Sequence, residues 1–248
     1  MLDNLKIIYH QGKQFIPNVR TVDVPGIFRG RPVISTAKVD ELSIKSICPL
    51  SAISTNPISI NLAKCNFCGE CSAKFPEKIR FTKDYKLATN SLERLIIIEG
   101  EDKPILIDDS IVRKEIRRLF KGSLKLRQVS AAGDNSCELE LNASGNVQFD
   151  VGRFGIDFVA SPRHADGVVI TGPISKNMSE ALQLTFEAIP DPKIVILIGV
   201  DAISGGIFAD SPALDRSFID KFKPDLYIPG NPVHPLAFIN GILGLLGK

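Results

Sequence analysis

Apolar positions follow two different rhythms along this chain. Between residues 45 and 82 they stand singly among Pro, Ser and Asn in short loops, and such a segment needs something besides a hydrophobic core to fix it. Beyond it, the apolar runs 95–98 and 105–107 suit short strands or an extended connection. Ser110 is placed to cap an amphipathic helix over 111–121, whose Ile111, Val112, Ile116, Leu119 and Phe120 share one broad face, with Gly122 behind it as a stop.

The second half alternates strand and helix signals. Strands are predicted over 124–130, 156–160, 167–171, 193–200 and 225–228; a helix over 179–189 ends at Pro190, and Pro235 can start a last helix holding Phe238, Ile242 and Leu245. That alternation is the pattern of an open, largely parallel sheet with helices on its faces. The apolar positions of the last helix run wide, which fits either a partner-facing surface or a helix that covers the chain's own sheet. The change of rhythm divides the chain into residues 1–108 and 109–248.

Composition adds an asymmetry. The 248 residues are 44% apolar and 23% charged, enough for one large core or two modest ones. The net charge of +2 conceals twenty Lys and Arg against fourteen Asp and Glu in residues 1–124, and ten against fourteen in 125–248, as two domains with different partners would require. No apolar stretch suits a signal peptide or a membrane span, so a cytoplasmic protein is expected. Four of the five cysteines, Cys48, Cys65, Cys68 and Cys71, lie close together in sequence, which suits metal binding in a reducing compartment better than a disulfide framework.

Cys65-Asn-Phe-Cys68-Gly-Glu-Cys71 has the C-x2-C-x2-C spacing of a bacterial ferredoxin, but Phe75, before Pro76, stands where the fourth cysteine is expected. In two-cluster ferredoxins the fourth cysteine of each run serves the other cluster. Cys48-Pro49 supplies such a residue, while the positions preceding it in the same spacing are Ile44, Glu41 and Lys38, none of which replaces a thiolate on iron. One complete 4Fe-4S site is therefore expected, with Cys48, Cys65, Cys68 and Cys71 as ligands; a four-cysteine zinc site is the alternative. Phe28 to Ile34, Phe-Arg-Gly-Arg-Pro-Val-Ile, resembles the entry segment of the ferredoxin-like subunits of formate hydrogenlyase and complex I, a resemblance that covers roughly residues 15–90.

A longer resemblance covers residues 124–246. Gly152-Arg-Phe-Gly-Ile-Asp-Phe-Val-Ala-Ser-Pro-Arg-His-Ala-Asp166, Val169 to Pro173, Ile198 to Gly206 and Tyr227 to Pro232 resemble blocks of the complex I 20 kDa subunit and of the small subunit of membrane-bound nickel-iron hydrogenases. In the hydrogenases, four cysteines in these blocks bind the proximal cluster; block-to-block matching puts Asp134, Cys137, Asp201 and Asn231 there, so three of four thiolates are missing. Each of these positions follows a predicted strand, and loops at the carboxyl ends of parallel strands converge on one crevice. A vacated, hydrogen-bonded pocket is the expectation, against a mononuclear metal or an oddly ligated cluster. His164, bonded to Asp166, reads as a structural histidine rather than a proton relay or the partner of a Cys137 nucleophile; Gly205-Gly206 lacks the rest of a phosphate loop, and the cations 113–118 read as a solvated or partner-facing patch.

The resemblance implies an α/β chain: a flavodoxin-like parallel-sheet domain preceded by a small ferredoxin-like α+β iron-sulfur domain. It implies an electron-transfer subunit with one 4Fe-4S cluster and no catalytic residues of its own, or a scaffold that docks a large subunit. The implied partners are the large subunit of a hydrogenase or complex I-like assembly, its membrane subunits and a soluble ferredoxin, with no nucleic acid. The implied location is the cytosolic face of the membrane, reached through those subunits.

Overall fold

A computed structural model describes residues 2–12 and 14–248. The first element, α1 (Leu2–Gln11), buries none of its residues and answers to no element expected from the sequence. The cysteine-bearing segment is more ordered than its composition suggests. It runs β1 (Pro32–Ile34), α2 (Glu41–Ser46), β2 (Ile53–Ser54), β3 (Ser59–Asn61), α3 (Glu70–Lys74) and β4 (Ile79–Phe81). β1 pairs antiparallel with β4, and β2 with β3. β3 also pairs antiparallel with β5 (Ile96–Ile98). Asp40 starts α2, its carboxylate accepting from the backbone N–H of Leu42 at 3.1 Å and from the Ser43 hydroxyl at 2.5 Å.

The helix expected over 111–121 is shorter. Asp108 takes both the Ser110 N–H at 3.0 Å and the Ser110 hydroxyl at 2.6 Å, so the residue expected to cap the helix is held in an Asx turn. α4 (Lys114–Phe120) follows, burying Ile116 and Phe120 and leaving Ile111 and Leu119 about half exposed. Residues 105–107 form the extended connection rather than a strand. Asn90 holds it through its side chain, which donates to Asp108 O at 2.9 Å and accepts from Asp108 N at 2.7 Å.

From there the chain runs β6 (Leu124–Ser130), α5 (Ser136–Ser144), β7 (Ile156–Phe158), β8 (Gly167–Thr171), α6 (Lys176–Glu187), β9 (Ile194–Ile198), α7 (Val200–Ser204), α8 (Ser217–Lys221), β10 (Leu226–Ile228) and α9 (Pro235–Leu246). All sheet pairings are parallel, in the order β10-β9-β8-β6-β7. Counted from β6, that is the flavodoxin-like order, whose direction of winding reverses between β6 and β8. β8 and β9 are buried on both faces, as continuous Val and Ile runs require.

The wide apolar surface of α9 goes to the chain's own core. Phe238, Ile239, Ile242 and Leu246 are fully buried, packed in the same cluster as Leu124, Ile196 and Ile228 of the sheet. The two halves of the chain share their cores. Cys65, Cys71 and Ile79 belong to one apolar cluster with Val168 and Ile170 of β8, and Val19 and Tyr85 pack with α9 in the other. Thr89 and Tyr227 exchange backbone hydrogen bonds of 3.0 and 2.8 Å, which fastens the first half to the sheet edge at β10. No helix among the described residues is long and apolar enough to cross a membrane.

Candidate redox centre and strand-end crevice

Cys48 precedes the β2–β3 hairpin and the Cys65–Cys71 loop follows it, so both leave its open end, beside the apolar cluster that contains Cys65 and Cys71. Burial pushes the Cys65 thiol up to about 12, although the Phe67 N–H opposes the shift, and the nearby Cys71, Cys48 and Cys68 raise it further by mutual repulsion. Burial likewise pushes Cys71 up to about 11, with added repulsion from Cys68 and Cys48. The four sulfurs thus share one neighbourhood, in which a cation is what would make thiolates stable. Cys65 and Cys71 are buried, Cys48 is half-buried and Cys68 is exposed, so the centre has a protected side and an outward edge.

Backbone amides turn towards these sulfurs. Ala52 N–H donates to Cys48 Sγ at 3.2 Å, and Phe67 N–H to Cys65 Sγ at 3.4 Å. The second bond depends on Phe67 adopting φ 56°, an uncommon conformation for a bulky side chain, with its ring packed against Phe81 at 6.0 Å. N–H donors to cysteine sulfur are among the features that set the properties of iron-sulfur centres, so this donor set and its amides fit a four-thiolate cluster. Among the described residues, no three His, Cys, Asp or Glu side chains close round a single point suited to one metal ion.

Asp134, Cys137, Asp201 and Asn231 do converge, as strand-end loops should. They line one depression with Gly133, Gly172 and Glu138, at the carboxyl ends of β6, β8, β9 and β10. The depression holds only about 10 Å³, room for at most one water. Two carboxylates, an amide and a single thiol do not supply the four thiolate ligands of a 4Fe-4S cluster. Burial pushes Cys137 up to about 12, against the Val233 amide. Asp134 is held low by the Ser136 hydroxyl at 2.6 Å and the Ser136 N–H at 2.9 Å.

Asp201 behaves oppositely. Burial and then the neighbouring Asp134 raise it above its ordinary value of 3.8. A carboxyl raised in the fold binds its proton more tightly there than in the unfolded chain, so its ionisation destabilises the fold. That cost is absent below about 3.8 and grows as pH rises towards the folded-state value. Asp201→Asn is therefore expected to raise the chemical-denaturation midpoint slightly at neutral pH, the gain over wild type closing in acid. A gain that does not depend on pH would contradict this account.

Two polar arrangements around the crevice, one buried and one half-buried, were not foreseen. Glu138, 5% exposed, accepts from the Ser130 and Thr171 hydroxyls, both at 2.6 Å on the same oxygen, and ties α5 to the ends of β6 and β8. Its only sequence signal is its place beside Cys137. Arg216 caps the backbone around α7, donating to Pro173 O at 3.0 Å, Asp201 O at 3.4 Å, Ala202 O at 2.8 Å and Ile203 O at 2.9 Å. Nothing local in the sequence marks it.

Other expectations change. Asp166 does not hold His164: its carboxylate accepts the Lys125 N–H at 2.6 Å, and both residues precede β8, at the end of the sheet away from the crevice. Gly205 closes α7 in the left-handed conformation, its N–H bonded to Asp201 O at 2.8 Å. Arg113 of the cationic segment is paired with both oxygens of Asp225 at 2.9 Å, tying the start of α4 to the start of β10.

Strand order and a crevice at the point where the winding reverses define a doubly wound α/β protein of flavodoxin-like order. Residues 135–245 match the family described as NADH ubiquinone oxidoreductase, 20 Kd subunit. The probable membrane-bound hydrogenase subunit mbhJ of Pyrococcus furiosus is 38% identical over 121 residues, covering 48% of this chain and 72% of that protein. Formate hydrogenlyase subunit 7 of Escherichia coli is 38% identical over 151 residues, 60% of this chain and 59% of its own length. An NADH-quinone oxidoreductase subunit of Heliobacterium modesticaldum is 41% identical over 120 residues, 48% of this chain and 68% of that protein. The chain belongs to the NADH ubiquinone oxidoreductase 20 Kd subunit family, and it spans between 59% and 72% of the length of these relatives.

Proposed function

We propose that this chain is an electron-transfer subunit of a membrane-associated hydrogenase-related or complex I-like oxidoreductase, with one 4Fe-4S cluster on Cys48, Cys65, Cys68 and Cys71 and none in the strand-end crevice. The observation that carries it is the meeting of Cys48 with the C-x2-C-x2-C loop, with backbone amides directed at Cys48 and Cys65. A cluster there supplies one-electron redox chemistry. The chain's own residues hold it, bury its inner side and leave its Cys68 edge outward for exchange with a partner.

Residues 1–108 are read as a ferredoxin-like domain and 109–248 as the flavodoxin-like one. Support for the first is its order strand-helix-strand-strand-helix-strand, with β1 paired to β4 and β2 to β3. The relatives' names, a membrane-bound hydrogenase subunit and a subunit of NADH-quinone oxidoreductase, support partnership with a large subunit and membrane subunits, and thus a peripheral position on the cytosolic face. A soluble ferredoxin is the proposed exchange partner for the exposed edge.

Anaerobic purification with iron and sulfide analysis tests the reading, which expects about four irons and four sulfides per chain. Zinc in place of iron, or a content near eight irons, overturns it. The crevice's donor set, with Cys137 as its one thiol, favours a second reading, in which the sheet domain is a scaffold and the cluster only ties down the first half. Electron paramagnetic resonance on the assembled complex separates the two, since the carrier role requires the signal to appear and disappear reversibly during turnover.

A further inference from the structure

Arg29 lies across the outer turn of the cysteine loop. A Cβ added at Gly69 would stand 2.5 Å from its Nε and 3.0 Å from its Cζ, so the guanidinium rests directly on the first of the two residues between Cys68 and Cys71. Its terminal NH1 also makes a long bond to Phe67 O, at 3.5 Å. Gly69 has φ +84°, and the lack of a side chain there lets the cation settle onto the loop. Arg29 is exposed, and among the described residues no carboxylate forms an ion pair with it. On its other side opens a cavity of about 370 Å³, lined by Phe28, Arg29 and Phe67 and, across from them, by Glu140, Asn231 and His234.

The geometry points to Arg29 as a potential-tuning residue: an unpaired cation fixed on the ligand loop that raises the reduction potential of the centre held by Cys48, Cys65, Cys68 and Cys71. This rests on the reading of those cysteines as cluster ligands. Arg29 acts through charge alone. When one electron arrives from a donor, with no bond or proton moved in the loop, the ligand cage becomes one unit more negative, and a fixed cation stabilises that form over the oxidised one. Solvent around the guanidinium weakens the effect and makes it salt-dependent. The position also suits a redox role better than a packing one, because an exposed arginine without an ion pair adds little to stability.

The test uses the full chain, reconstituted anaerobically with iron and sulfide, and follows the midpoint by potentiometric titration with mediator dyes, monitored by electron paramagnetic resonance. Iron per chain is measured first in every sample. Arg29→Lys is expected to keep a midpoint near wild type, Arg29→Gln to lower it and Arg29→Glu to lower it further, with the spread narrowing at high salt. Equal midpoints for Arg29→Gln, Arg29→Glu and wild type overturn the proposal. So does a shift in Arg29→Lys as large as in Arg29→Gln, which would assign the effect to the bond with Phe67 rather than to charge. Loss of the cluster from all three variants also overturns it, making Arg29 a structural clamp. Wild-type chain that assembles no cluster defeats the reading of the cysteines instead, so the two failures are distinct.

Discussion

Cys48→Ala is expected to abolish the four-iron centre proposed for this chain although the C-x2-C-x2-C run stays intact. Iron should fall from about four per chain to a three-iron remnant or none, and the resonance signal of the reduced cluster should disappear. Cys48 sits at the end of the α2 turn, its N–H bonded to Lys45 O at 3.4 Å and its sulfur facing the Ala52 amide at 3.2 Å. Nothing else in that loop can take its place, since Ser51 points its own amide back to Cys48 O at 3.2 Å and carries a hard hydroxyl. Free energy of cluster binding is folding free energy for the loops that carry it, so the variant should also lose protection from proteolysis across residues 45–82. Cys137→Ala is the contrast. That thiol lies in the strand-end crevice, so its loss should leave iron unchanged. A Cys48→Ala protein with a full cluster and an unaltered spectrum would show the ligand set to be wrong.

Arg216→Met should cost about 2–4 kcal/mol of stability, because a charged donor to four backbone carbonyls is removed from a half-buried site; Asp201 O keeps the Gly205 N–H, while Pro173 O, Ala202 O and Ile203 O lose their partner. The carbonyls come from the loop after β8 and from α7, whose short length leaves its last C=O groups without intrahelical partners. Loosening them should open the crevice at Asp201 before it affects the far end of the sheet. Arg216→Lys should recover little, since a point-like ammonium cannot span the same carbonyls as a planar fork. Urea denaturation supplies the magnitude, and hydrogen exchange supplies the location. A loss under about 0.5 kcal/mol, the range of an ordinary surface substitution, would mean that water replaces the guanidinium and that Arg216 does not hold the crevice together.

The sheet was readable almost residue by residue along its central strands. β6 and β8 occupy the full ranges that the apolar runs predict, and β9 and β10 are shorter only at their ends. α5, which carries Cys137 into the crevice, gives no such signal. One adjacent pair in it is inverted relative to polarity: Glu138 is 5% exposed and Leu139 60%, which breaks the period set by the buried Cys137 and Leu141. Periodicity reports a helix only when burial follows hydrophobicity, and here two hydroxyls offset the burial of the carboxylate. Ser110 misled because it lies in the turn closed on Asp108, and the helix begins only at Lys114, beyond the reach of its hydroxyl as a cap.

By itself the sequence determined the parallel α/β class, the spacing that singles out Cys48, Cys65, Cys68 and Cys71, and the positions at which the crevice would have to form. Those features are local: strand and helix periods, and ligand spacings along a few residues, are properties of a short stretch of chain. Only the tertiary structure decided that α9 faces inward, that both halves of the chain share their cores, and that the crevice closes to about 10 Å³. It alone placed Arg29 on Gly69 and Arg216 over the carbonyls of α7. Such contacts join residues far apart in the chain, and which of them form depends on how the whole set of apolar faces packs to high density, a condition no single segment contains.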